Sequence, residues 1–162
     1  MLAAGSPEIL RATPTEPRCD VTSSEQNTAI VNRCFEYVPQ GDRAGLESIL
    51  TPDFVIHAGE DHHGVDGLLE MVAPFLAALP DMTVSIDQQV ANGDYVTSRF
   101  RLHGTHQGAV FGIAPTGRRV EVAAMTLSRC ENGRLAEEWE LVDVAGLLGQ
   151  IGALPEPAAS SS

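Results

Sequence analysis

Near its C-terminal end the chain reads Glu137-Glu138-Trp139-Glu140-Leu141-Val142-Asp143, which gathers four carboxylates around the only tryptophan. Carboxylates beside apolar and aromatic walls suit general acid/base chemistry, because desolvation lifts their pKa toward neutrality. Read as a strand, alternation puts Glu137, Trp139, Leu141 and Asp143 on one face and Glu138, Glu140 and Val142 on the other. The tryptophan-bearing face is expected to line a pocket, with Asp143 turned inward as the acid/base residue. Glu138 and Glu140 are then expected on the outer face. Asp143 also precedes a helical segment beginning at Val144, where aspartate is a favoured N-cap, and the two roles are compatible.

Other residues extend the candidate set. His57 ends the apolar run Phe54-Val55-Ile56 and is the type of group that titrates near neutrality, although a lone histidine there equally fits a packed rim position. Arg99 and Arg101 lie two apart and share a face, where they can orient a carbonyl or remain solvated. His106 sits in the polar connection Gly104-Thr105-His106-Gln107-Gly108. The catalytic candidates are Asp143 and His57; the substrate-binding candidates are Trp139, Arg99, His106, Phe35 and Thr126. Glu60-Asp61-His62-His63 offers four metal-ligand types in a row, but adjacent side chains diverge, so a polar turn is expected and no metal. No glycine-rich phosphate loop, Gly-x-Ser-x-Gly or His-Glu-x-x-His occurs. Any chemistry is expected to use side chains alone, without a cofactor.

The elements that must position these residues follow from periodicity. Ser23-Ser24 offers an N-cap before Ile30, Val31, Cys34, Phe35 and Val38, which share one helical face ending before Pro39-Gln40-Gly41. A short helix spans about 43–50, and Phe54 to His57 is a short strand. Apolar positions from Leu68 to Leu79 return to helical spacing. After Pro80 the period becomes two: Met82 to Val90, Asn92-Gly93, and Tyr95 to Thr105 make one hairpin. Arg119 to Cys130 and Leu135 to Val142, around Asn132-Gly133, make another. Helices followed by a four-stranded antiparallel meander predict an α+β fold, a curved sheet closing into a cone over helices packed on one face.

Composition narrows the partners. The chain has 162 residues with 22 Asp plus Glu against 10 Lys plus Arg, a formal net charge of -12. That length suits one domain, expected over 23–154, with aperiodic tails at 1–22 and 155–162. The negative charge repels nucleic acid and anionic membrane surfaces, leaving a neutral or apolar small molecule as the expected partner. Neither a basic, apolar leader nor a span-length apolar run is present, so a cytoplasmic location is expected. Three cysteines without a Cys-x-x-Cys pair predict neither a disulfide framework nor a zinc knuckle.

Several of these residues together resemble the SnoaL-like polyketide cyclase family: Phe54-x-x-His57, Gly64-x-x-Gly67, Leu79-Pro80-Asp81, Asn92-Gly93-Asp94, Arg99, Gly104 to Gly108, Pro115-Thr116-Gly117, Asn132 to Leu135, Glu138-Trp139, Asp143 and Gly146 to Gly152. The likeness covers about 24–154. It implies the cone-shaped α+β fold shared with nuclear transport factor 2, scytalone dehydratase and ketosteroid isomerase, and generally a homodimer or larger assembly formed through the sheet. It also implies cofactor-free aldol closure of a polyketide ring by an acidic residue in an apolar cavity, which it matches to Asp143. Limonene epoxide hydrolases share the fold, but their Arg-x-Asp reads Arg99-Phe100-Arg101 here and their later aspartate reads Leu141, so that water-activating mechanism is disfavoured. Two alternatives accompany the cyclase reading: a non-catalytic ligand-binding or accessory protein, and a cofactor-independent hydroxylase.

Overall fold

Hydrophobic periodicity becomes four helices and six strands in the computed structural model, which describes residues 21–154. The tails expected at the two ends lie outside those residues, except that the first helix starts at Val21, two residues before the expected cap. Helix α1 (Val21–Gln40) buries Ile30, Val31 and Cys34, three and four residues apart, so they form one stripe. Helix α2 (Arg43–Ile49) starts at the N-cap Asp42, whose carboxylate accepts from the Gly45 N–H at 3.0 Å. Strands β1 (Leu50–Ala58) and β2 (Glu60–His63) turn through Gly59, and helix α3 (Gly64–Ala78) follows.

Strands β3 (Thr83–Asn92), β4 (Tyr95–Thr105), β5 (Arg119–Glu131) and β6 (Arg134–Val142) are the expected meander, and α4 (Val144–Gln150) closes the described chain. The sheet is larger than the expected four strands. Its order is β2-β1-β6-β5-β4-β3, with β1 parallel to β6 and every other pair antiparallel. The segment Glu60–His63, expected as a polar turn, forms the edge strand because it folds back on β1, pairing Ile56 with His62 and His57 with Asp61. Its charged, short character suits an edge that must not recruit another strand.

Alternation sorts the meander cleanly. On β5 Val120, Val122, Ala124, Thr126, Ser128 and Cys130 are buried, while Arg119, Glu121, Ala123, Met125 and Leu127 are exposed. The buried face receives α1, which packs on β3, β4 and β6, while α3 packs on β1 and β2. Two apolar clusters result. One joins α1, α2, β1 and α3 through Val31, Leu46, Phe54, Ile56 and Leu68; the other joins the end of α3 to β5 and α4 through Leu79, Met82, Val122, Leu147 and Ile151.

One register irregularity matters for the site. The β5–β6 hairpin turns at Asn132-Gly133, both in the left-handed region, and begins by pairing Glu131 with Arg134 and Cys130 with Leu135. The next pair is Arg129 with Glu137, so Ala136 is an extra residue, a β-bulge. Without it Ser128 would face Glu137 and Thr126 would face Trp139. With it Ser128 faces Glu138, Thr126 faces Glu140 and Ala124 faces Val142.

The 106–118 connection is fastened to α3: the Gln107 and Gly108 N–H groups both donate to the Ala78 carbonyl, at 2.9 and 3.1 Å. Gly108 lies so close that a Cβ there would overlap the Ala77 carbonyl oxygen. Gly108→Ala must push this backbone apart, and roughly 1–3 kcal/mol of stability is expected to be lost, measurable as a lower urea midpoint at unchanged slope.

Candidate active site

Between the two apolar clusters lies a cavity of about 320 Å³. Its walls are side chains that alternation and helical spacing aim inward: Cys34, Phe35 and Val38 of α1, Leu68, Met71, Val72 and Phe75 of α3, and Ile56 and Ala58 of β1. The sheet adds Val84, Phe100, Leu102, Thr126, Glu138, Glu140 and Val142. Among these described residues no basic side chain lines the cavity. Two carboxyl groups therefore face an apolar chamber without a cation.

Their electrostatics follow from that placement. Glu138 is buried, and its Oε1 accepts from the Ser128 hydroxyl at 2.9 Å. Burial first, and the neighbouring Glu140 second, push its pKa to about 8; the Ser128 bond and a weaker influence of Thr126 pull the other way. Thr126 Oγ1 is itself buried at the cavity wall beside Glu138, without a well-aligned hydrogen bond. Glu140 is pushed to about 7 by desolvation alone, although its surface is part exposed where it meets the cavity opening. The lower member ionises first, and its charge then holds the proton on Glu138. Cys34 shares the site, and burial with the two glutamates keeps its thiol well above the ordinary range, hence protonated.

The sequence candidates separate into two groups. Phe35 and Thr126 line the cavity. The tryptophan-bearing face does not: Glu137, Trp139 and Leu141 face outward, although Leu141 also touches the cavity rim, and the expected orientation of β6 is reversed. The Ala136 bulge is the cause. Trp139 stacks on His57 at 5.2 Å, and His57 lies on the outer face with Nδ1 2.6 Å from Asp61 Oδ1 and Nε2 3.1 Å from Glu137 Oε1. Those two hydrogen bonds raise the His57 pKa. Arg99 is exposed on the same outer side, 3.7 Å from Asp87, which also pairs with Arg101.

His106 is buried away from the cavity lining, its Nδ1 3.0 Å from the Thr116 hydroxyl. Asp143 is exposed and outside the cavity. It is the N-cap of α4, its Oδ1 accepting from the Gly146 N–H at 2.8 Å. No group of three or more histidine, cysteine or acidic side chains among the described residues is arranged to hold a metal ion.

A family model, SnoaL-like polyketide cyclase, matches residues 29–151. The chain belongs to the SnoaL-like polyketide cyclase family. Solved structures agree. IdmH of Streptomyces antibioticus, a candidate polyketide cyclase, is 30% identical at a TM-score of 0.72, the match covering 78% of this chain and 99% of that one. AclR of Streptomyces galilaeus, a candidate hydroxylase, is 26% identical at 0.75, covering 84% and 91%. A candidate SnoaL-like polyketide cyclase of Jannaschia sp. CCS1 is 25% identical at 0.73, covering 82% and 96%. No curated protein sequence matched. In this SnoaL-like chain the acidic residues in an apolar cavity are Glu138 and Glu140, where sequence reasoning pointed to Asp143.

Two predictions follow from the charges. Between the ordinary glutamate value of 4.5 and the raised values of about 7 and 8, the folded protein holds protons that the unfolded chain has released. Stability is therefore fully present below pH 4.5 and falls as pH rises through that window. Glu138→Gln removes the larger share, on the order of several kcal/mol, so its melting temperature should exceed that of the unmodified chain at alkaline pH and vary less between acid and alkaline conditions. The outer carboxylate behaves differently: Asp143→Ala should cost about 1 kcal/mol through the lost cap of α4, read from chemical denaturation at constant pH.

Proposed function

We propose that this SnoaL-like protein is a cofactor-independent cyclase that closes a ring in a hydrophobic, enolisable polycarbonyl compound by intramolecular aldol addition, with Glu140 as base and Glu138 as acid. The observation that carries the reading is two carboxyls on one face of β6 in a cavity without a cation, both raised by burial, Glu138 buried and Glu140 part exposed. Residues two apart on a strand are separated by about 6.6 Å. That spacing lets them bracket two carbons of one folded substrate.

Near neutrality Glu140 is partly ionised and faces the opening, while Glu138 keeps its proton. The Glu140 carboxylate removes a proton alpha to one carbonyl. The resulting enolate carbon attacks the second carbonyl carbon, a carbon–carbon bond forms, and the carbonyl pair becomes an alkoxide. Glu138 gives that oxygen its proton, and proton transfer from the protonated Glu140, directly or through water, restores the pair. Substrate and product are isomers, so the balance needs no oxidant or reductant. The apolar walls strengthen each of these charge interactions by excluding water. The Thr126 hydroxyl, at the cavity wall without a well-aligned partner, can turn to a substrate oxygen, and Phe35 and Phe100, whose ring centroids are 4.6 Å apart, supply an aromatic wall for a flat substrate.

The test is ring closure of an aromatic polyketide bearing an enolisable ketone side chain, followed by chromatography and mass spectrometry. Glu140→Gln is expected to lower turnover about 100-fold or more, the usual contribution of a general base, and Glu138→Gln to lower it less and to remove the alkaline limb of the pH profile. Full turnover by a folded Glu140→Gln variant would sink the mechanism. The likeness to a candidate hydroxylase supports a second reading, oxygen insertion in the same cavity. Product formation that stops under anaerobic conditions would select it over ring closure.

A further inference from the structure

The turn at Val110 to Ile113 carries a side chain that the fold does not require. Val110 and Ile113 pair across it, each donating its N–H to the other's carbonyl, and both pack into the apolar cluster at the end of α3. The two residues between them, Phe111 and Gly112, have φ of 51° and 77°. Such a turn favours Asn-Gly, because asparagine tolerates the left-handed region and a bulky side chain does not. Phenylalanine at this position therefore works against local preference. Nor does burial explain it, since Phe111 is 56% exposed.

What the ring does touch is informative. Phe111 meets Phe75 edge-on, centroids 5.9 Å apart and planes at 76°; Phe75 lines the cavity, and Phe111 stands just behind it, outside the lining. The base of the turn is fixed by the Gln107 and Gly108 bonds to α3, so the ring is held beside that wall on a rigid support. The conformational cost and the exposed apolar surface are both accounted for if the ring's partner is a guest in the cavity.

We propose that Phe111 contacts the part of a ligand that extends past the Phe75 wall of the cavity and sets a preference for flat aromatic guests over saturated ones. This rests on the cavity being the substrate site. A flat guest that lies on Phe75 and extends past it to Phe111 gains edge or offset stacking that a saturated ring lacks.

Phe111→Asn provides a clean test, because asparagine suits the backbone and should keep the melting temperature at or above its original value. The probes are 1,8-dihydroxyanthraquinone, flat and aromatic, and 1-adamantanol, saturated, with affinity measured by calorimetry. Phe111→Asn should weaken the anthraquinone by roughly three- to tenfold, the worth of one aromatic contact, and leave adamantanol affinity unchanged, while Phe111→Tyr should bind both as the unmodified chain does. Ala58→Leu, which narrows the cavity, should weaken both probes. If Ala58→Leu weakens anthraquinone binding and Phe111→Asn leaves it intact, the cavity reading stands and the role of Phe111 is overturned. If the unmodified chain binds neither probe, both fail.

Discussion

The inserted residue Ala136 decides which half of β6 meets the cavity. A strand presents alternate side chains to opposite faces, so a shift of one position exchanges the two sets completely. Here the shift brings Glu138, Glu140 and Val142 against Ser128, Thr126 and Ala124 and sends Trp139 outward onto His57. The bulge comes three residues after the Asn132-Gly133 turn, where twist is already high and an extra residue is tolerated. The inward placement of both cavity carboxyls follows from that one residue.

Having turned two carboxyls inward, the fold must keep them there without a countercharge. It does so by leaving Glu138 protonated and Glu140 only partly ionised near neutrality, and by giving Glu138 a hydroxyl donor, Ser128, from the neighbouring strand. Complete satisfaction would be more stable. An arginine beside Glu138 would hold it ionised and lower its pKa, which would remove the acid. The fold accepts alkaline sensitivity in exchange for a proton held at the right place, a trade that is common where carboxyls do acid/base work.

Much of this was legible in the sequence. The period change after Pro80, the Asn132-Gly133 turn and the apolar face of α1 suffice for an α+β fold with a curved sheet, because each is a local signal. Two further strand pairings were not legible: β1 joins β6 through contacts some 80 positions apart, as between Ile56 and Glu138, and no local pattern reports them. The family resemblance carried the right fold and an acidic residue in an apolar cavity, but matched it to Asp143, which the fold places outside the cavity as the cap of α4. The alternation of β6 was read correctly and its facing was not, since a bulge leaves no period of its own. One clue was available: β5 buries its Val120, Val122 and Ala124 series, and the apolar Val142 belongs with Glu138 and Glu140 on the partner face.

Charge partnership separates structural from chemical carboxylates in this molecule. On the outer face the acidic groups are engaged: Glu137 with His57 and Arg129, Asp87 and Glu121 with Arg101, Asp61 with His57, and Asp143 with the first turn of α4. Each of those contacts is explained by stability or capping. Among the described residues Glu138 and Glu140 have no cationic partner, burial penalises both and Glu140 adds to the cost at Glu138, so stability alone would favour glutamine or leucine at both positions. A buried arrangement that stability disfavours, inside a cavity and beside an unpartnered hydroxyl, is the kind of local inconsistency that marks a functional site. The net charge of -12 says nothing of this. It sums paired and unpaired carboxylates alike, whereas the proposed chemistry rests on the two that the bulge turns inward without a cationic partner.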